Sequence, residues 1–263
     1  MRVTVNGVTI GYASGGEGPA VVFLHAFPLH RGMWAAQEEA LRRTARTLTV
    51  DFRGFGESEL PAPAYSLADL ADDVAATARA LGITSAVVVG LSMGGYVAFR
   101  LVERAPEFVR ALVLADTRAE ADTPEARTRR LLLADRVERE GMSAMADFLQ
   151  GLLGPTSKAE RPDVVASVQR IIGEPAPGAV AAGLRAMGDR PDSRPLLPAI
   201  AVPTLVLVGE EDGLTTPDSA RVIAGGIRGA KLVVIPRAGH LSNLEAGATF
   251  SAELLAFVRA VRA

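Results

Sequence analysis

The stretch VVVGLSMGGYVAF, residues 87–99, decides how the rest of the chain is read. Three β-branched residues run into Gly90, and Ser92 stands between Gly90 and Gly94 before a helical pattern resumes. Gly-x-Ser-x-Gly between an apolar strand and a helix has the spacing of a nucleophile elbow. Small residues two positions either side of the serine let strand and helix approach closely. The hydroxyl is then held at the head of a helix, where the dipole favours negative charge. A purely steric turn would use the same glycines, so this stretch alone leaves both readings open. A dinucleotide-binding fingerprint does not fit, because Ser92 occupies the place of its second glycine.

Outward from residues 87–99, strand and helix patterns alternate. Asn6-Gly7 predicts a hairpin between residues 3–5 and 9–12, because both residues tolerate positive φ. Strands are predicted over 20–24, 47–51, 86–89, 111–114, 203–208 and 231–235. The run at 20–24 is apolar throughout, as in a strand covered on both faces. Helices are predicted over 33–43, from N-cap Ser66 to about 81 with Gly82 as the stop, from the elbow to 105, from 217, and over 244–261. From about 118 to 190 only helical periods occur, starting at Thr123-Pro124-Glu125 with proline in the first helical position. Further helices there are predicted over 142–153, 163–172 and 178–187. Strands alternating with helices imply an α/β fold, a mostly parallel sheet with helices on both faces. Residues 1–117 and 191–263 form its core, with residues 118–190 inserted as a lid over one end of the sheet.

Composition narrows the function. The 263 residues carry a net charge of −2 and 49% apolar residues, so a sizeable core is available and no basic footprint points to nucleic acid or an anionic membrane. There is no cysteine, which excludes disulfides, thiolate chemistry and cysteine-based metal sites. The first residues alternate like a strand and lack the layout of a signal peptide, and no apolar run approaches the roughly 18 residues of a membrane span. A soluble, cytoplasmic protein is the expectation.

A serine hydroxyl attacks well only when a base takes its proton. The chain has three histidines, His25, His30 and His240. Parallel strands bring the loops at their C-terminal ends to one edge, and His240 lies in such a loop after the last strand, as Ser92 does after an earlier one. His240 is preferred as the base, and His25 is read as shaping the turn after its strand. The orienting carboxylate is sought in GEEDGLTTP, where Asp212 is preferred over Glu210 and Glu211, read as solvated charges. Asp116, also at a strand's end, is the second candidate. Oxyanion donors are expected from the N–H of Met93, the residue after the nucleophile, and from the N–H of Phe27 in the loop after 20–24.

With these residues in place, five segments in order resemble the α/β-hydrolase superfamily. They are HAFP at 25–28, with Ala26 where the family carries glycine, DFRGFGES at 51–58, GLSMGG at 90–95, GEEDGLTTP at 209–217 and AGHLSNLE at 238–245. The resemblance implies an α/β-hydrolase fold with an eight-stranded, mostly parallel sheet flanked by helices, and 118–190 as its helical cap. Ser58 in the second segment lacks the elbow's spacing and is read as structural, with Asp51 and Arg53 bonding loops in place. A serine at 92 sets the chain apart from haloalkane dehalogenases, and Leu91 from the C–C bond hydrolases. The acid and histidine loops look most similar to 3-oxoadipate enol-lactonases and small carboxylesterases. The expected activity is hydrolysis of a small-molecule carboxylic ester or lactone by Ser92, His240 and Asp212, with no cofactor and no metal. Two rivals remain: a cofactor-free perhydrolase or haloperoxidase-type reaction on the same triad, and a ligand-binding member without turnover. The cap carries Arg127, Arg129, Arg130 and Arg185, charges that a solvated helix face also explains.

Overall fold

Asn6 and Gly7 both take positive φ, 50° and 76°, and turn the chain between β1 (Arg2–Val5) and β2 (Val8–Gly15). The computed structural model describes residues 1–60, 64–173 and 175–261, so the last two residues of the expected core segment lie outside them. β2 pairs antiparallel with β4 (Arg46–Val50), and every pairing beyond it is parallel. Those further strands are β3 (Ala20–Leu24), β5 (Ala86–Leu91), β6 (Val109–Ala115), β7 (Thr204–Gly209) and β8 (Lys231–Ile235). The result is one eight-stranded sheet in the order β1-β2-β4-β3-β5-β6-β7-β8.

Apolar residues on alternate sides of each strand build two cores, one per face. Val88 of β5 belongs to one, and Val87 and Val89 belong to the other. This double burial is why the parallel strands read as unbroken apolar runs. One face is covered by α2 (Leu67–Ala80) and α3 (Met93–Arg104), the other by α1 (Ala35–Leu41) and the C-terminal helix. Ser66 caps α2 through a reciprocal box with Asp69, and Gly82 at φ 73° follows its end.

Between β6 and β7 the chain is helical: α4 (Pro124–Glu140), α5 (Ala146–Gly151), α6 (Pro155–Glu160), α7 (Pro162–Ile172) and α8 (Pro177–Gly188). The single helix expected over 142–153 is instead a 3₁₀ turn, Gly141–Met145, followed by the short α5. After β7 comes α9 (Pro217–Gly226). The last helix, expected as one piece, is two: α10 (Ser242–Glu245) and α11 (Gly247–Ala260). Ala246 breaks it at φ −129°, and the Glu245 carboxylate before the break accepts from the N–H groups of Leu241 and Gly154. A contact with a residue 91 positions away overrides the local helical period. Among the described residues no helix is long and apolar enough to cross a membrane.

Candidate active site

β5 delivers its chain directly into Ser92, which sits at φ 55°, ψ −114° before the first turn of α3. Non-glycine residues avoid this region, at a cost on the order of 1–3 kcal/mol, so neighbours must hold it. The Ser92 N–H donates to the Ala115 carbonyl at 3.0 Å, and the Ser92 carbonyl accepts from Gly95 N–H, Tyr96 N–H and the Thr117 hydroxyl. The flanking glycines are needed for close approach. A Cβ on Gly90 would collide with the Gly94 backbone, and one on Gly94 with the Leu24 carbonyl of β3.

The loops after β5, β7 and β8 meet at the C-terminal edge of the sheet, as parallel neighbours require. There the structure brings together three residues singled out by the sequence. The His240 ring nitrogen Nε2 lies 2.8 Å from Ser92 Oγ, and its Nδ1 lies 2.9 Å from Asp212 Oδ2. A carboxylate can only accept here, so Nδ1 carries the proton and Nε2 presents a lone pair to the Ser92 hydroxyl. Asp212 is itself fixed by donors: Leu214 N–H at 2.8 Å, Thr215 N–H at 2.9 Å and the Thr215 hydroxyl at 2.6 Å. Burial would raise its carboxyl, but the imidazole and these donors outweigh burial and leave it below the usual carboxylate range. A carboxylate that stays ionised can steady a protonated His240, and His240 can in turn take the Ser92 proton.

Asp116 occupies the corresponding place after β6, yet its partners differ. Its side chain accepts from Gly209 N–H at 2.8 Å and bonds the Ser242 hydroxyl. Full burial, with the charge of Asp212 nearby, raises its carboxyl well above the usual range. It joins the end of β7 to the turn after His240 and makes no bond to the imidazole. Glu211, read from sequence as solvated, is half-buried and accepts from Thr156 N–H at 3.0 Å, tying the acid loop to α6.

The loop after β3 carries Phe27, whose ring lines the same cavity as Ser92 and His240. Among the described residues neither the Phe27 N–H nor the Met93 N–H meets an acceptor. Met93 opens α3, so its N–H is one of the free donors of a helix's first turn. The peptide bond between Phe27 and Pro28 is cis. His25 braces this loop: its Nδ1 donates to the Ala26 carbonyl and its Nε2 accepts from Phe52 N–H, both at 2.9 Å. In the next segment Asp51 accepts from the N–H groups of Arg31 and Glu57, Ser58 links Asp51 to Gly11, and Arg53 forks onto Asp73.

Residues 19–247 match the sequence profile of a family described as the alpha/beta hydrolase fold. The chain belongs to the α/β-hydrolase family. Among solved α/β-hydrolases, an esterase from Thermogutta terrifontis with malate bound is similar at a TM-score of 0.95 and 37% identity, covering 100% of both chains. An enol-lactonase from Burkholderia xenovorans LB400 is similar at a TM-score of 0.90 and 32% identity, covering 98% of this chain and 100% of its own. The 3-oxoadipate enol-lactonase 1 of Acinetobacter baylyi is 30% identical over 247 residues, 93% of this chain and 90% of the other. The chain is thus a hydrolase of the α/β family with esterase and lactonase relatives.

Several residues of this α/β-hydrolase site escape sequence reasoning. A cavity of about 290 Å³ opens over Ser92 and His240, with Leu133, Phe148, Leu184 and Met187 contributed by the helical segment between β6 and β7. Tyr96 and Thr215 also line it. Thr215 follows Asp212 by three residues, a spacing that suits a hydroxyl bonding a nearby carboxylate and could have been noticed. Nothing in the linear sequence marks Arg118 as facing this cavity.

Proposed function

We propose that this chain is a carboxylic-ester hydrolase, an esterase or lactonase, working through an acyl-enzyme on Ser92. The observation that carries the reading is the unbroken contact from Ser92 Oγ through the His240 ring to Asp212 at the floor of a cavity. Ser92 Oγ attacks the ester carbonyl carbon while His240 Nε2 takes its proton, and the carbonyl π electrons move onto oxygen. The N–H groups of Phe27 and Met93 hold that oxyanion, and Asp212 steadies the imidazolium. Collapse breaks the bond to the alcohol oxygen, which leaves with the proton from His240. In a lactone the same oxygen remains tethered to the acyl group. Water then gives a proton to His240 and attacks the acyl-enzyme carbonyl, and a second collapse frees the acid and returns the proton to Ser92.

Residues 118–190 act as the cap of this enzyme, since side chains of α4, α5 and α8 wall the cavity. The esterase and enol-lactonase relatives support ester and lactone chemistry over other uses of the fold. The test is p-nitrophenyl acetate turnover together with labelling by a fluorophosphonate. Wild type is expected to turn over and to be labelled at Ser92, and Ser92→Ala to do neither. Near-wild-type turnover by Ser92→Ala and His240→Ala would sink the assignment.

A further inference from the structure

Helix α8 rests on the core along one face, and Ala179 and Gly183, four residues apart, both lie on it. A Cβ on Gly54, in the loop after β4, would come within 2.6 Å of the Ala179 Cβ. The helix is seated there at a distance that only a missing side chain permits. One turn further on, a Cβ on Gly183 would stand 3.0 Å from Phe27 Cε2, 3.1 Å from Phe27 Cδ2 and 3.4 Å from Phe55 Cζ. Carbon atoms in comfortable contact lie about 3.5–4.0 Å apart, so an alanine here would press on the Phe27 ring. Gly183 also stands in the middle of α8, where glycine weakens a helix relative to alanine. The other two glycines of α8 have room. The nearest neighbour of a Cβ would be 4.0 Å away at Gly178 and 3.5 Å away at Gly188.

Neither the helix nor the ring can give way freely. Residues 179–184 are all buried, so α8 is packed on every side over more than a full turn. The Phe27 ring is buried too, with Phe55 edge-on at 5.9 Å from the core and Phe148 of α5 edge-on at 5.7 Å. The backbone around it is tied. Ala26 N–H donates to Met33 Sδ at 3.2 Å, and Leu29 N–H donates to the Ala26 carbonyl at 2.9 Å. Phe27 N–H alone of these three meets no acceptor among the described residues. One residue therefore offers a free N–H on the core side and a ring held by two helices of the segment 118–190.

We propose that Gly183 is a positioning residue for the oxyanion donor. By lacking a Cβ it lets the Phe27 ring seat against α8, and the seated ring fixes where the Phe27 N–H points. The helical segment then acts on the chemical step through Phe27, besides walling the cavity. The inference rests on the ester-hydrolase reading and deepens it.

Gly183→Ala is the test, with Gly178→Ala as the control on the same helix. On p-nitrophenyl acetate, Gly183→Ala should lower kcat tenfold or more and change KM by less than threefold. That loss stays short of the about 10²–10³ that follows removal of an oxyanion donor outright. Inhibition by 1,1,1-trifluoropentan-2-one, which Ser92 Oγ adds to reversibly so that its carbonyl oxygen becomes an oxyanion, should weaken tenfold or more. Gly178→Ala should leave all three values as in wild type. In a Phe27→Ala background, which keeps the N–H and removes the ring, adding Gly183→Ala should change kcat by less than twofold. A kcat loss below tenfold, a rise in KM alone, or an undiminished loss without the ring overturns the proposal. A second measurement needs no turnover. With ¹⁵N-phenylalanine at the nine phenylalanines, the amide resonance that Phe27→Leu removes should move in Gly183→Ala and stay in place in Gly178→Ala. An unmoved resonance overturns the positioning role. If wild type does not hydrolyse the ester, the function has failed, and the amide resonance still decides the role of Gly183.

Discussion

His25 and His240 occupy equivalent places, each buried in a loop just past the C-terminal end of a parallel strand, and their surroundings give them opposite work. Both ring nitrogens of His25 face backbone, the Ala26 carbonyl and the Phe52 N–H. These partners cannot exchange roles, so one tautomer is fixed and protonation would break the Phe52 bond. Burial, the largest influence, draws its pKa down to about 4. His240 faces a carboxylate on one side and a hydroxyl on the other, groups that can accept charge and give up a proton. A histidine's position in the fold therefore says less than the chemistry of its two neighbours.

Breaking the His240 side of this comparison should have the largest effect. Removing the imidazole in His240→Ala, or the hydroxyl in Ser92→Ala, is expected to lower kcat on p-nitrophenyl acetate by about four to six powers of ten. The two buried carboxyls sharpen the point. Asp212→Asn loses the acceptor that fixes the His240 tautomer and should lower kcat by about 10⁴. Asp116→Asn keeps an oxygen that accepts from Gly209 N–H and leaves the contact between Asp212 and the imidazole untouched, so its kcat should fall by less than about tenfold, the scale of one hydrogen bond. Matched steady-state kinetics on the two variants would reverse the assignment if the larger loss fell on Asp116.

On the His25 side the readout is stability. The folded pKa of about 4 lies below the ordinary 6.5, so between those values the unfolded chain binds the proton and the folded chain does not. The contribution is intact above pH 6.5 and is lost as pH falls towards 4, by about 3 kcal/mol in all. Urea unfolding across that range should show the loss in wild type and a shallower one in His25→Gln. The smallest effect is expected from Thr215→Val, which removes one hydroxyl donor from Asp212. A loss of about tenfold or less in kcat, with the fold intact by circular dichroism, is the expected outcome.

Much of the fold was legible because it rests on local regularities. The Asn6-Gly7 turn, the Ser66 cap and the apolar runs of β3 and β8 stand at or within a residue of where spacing puts them. Helix continuity was harder, since Ala246 breaks its helix beside a glutamate drawn to Gly154, a force with no local trace. Among the candidate site residues, Ser92 stood out by its glycine spacing, while His240 and Asp212 were preferred among a few alternatives in loops that a parallel sheet gathers at one edge. Glu211 was misread because Thr156, its partner, lies 55 residues away.

The sequence by itself determined the sheet's type, the strained presentation of Ser92 and the order of the loops, because each follows from periodicity or from glycines at fixed offsets. The tertiary structure alone decided that Asp212 and not Asp116 faces the imidazole, since both follow strands and only the loop paths separate them. It also decided which arginines find carboxylates and which are left facing the cavity. A charge's partner is set by distance in space, and no spacing along a chain encodes that distance.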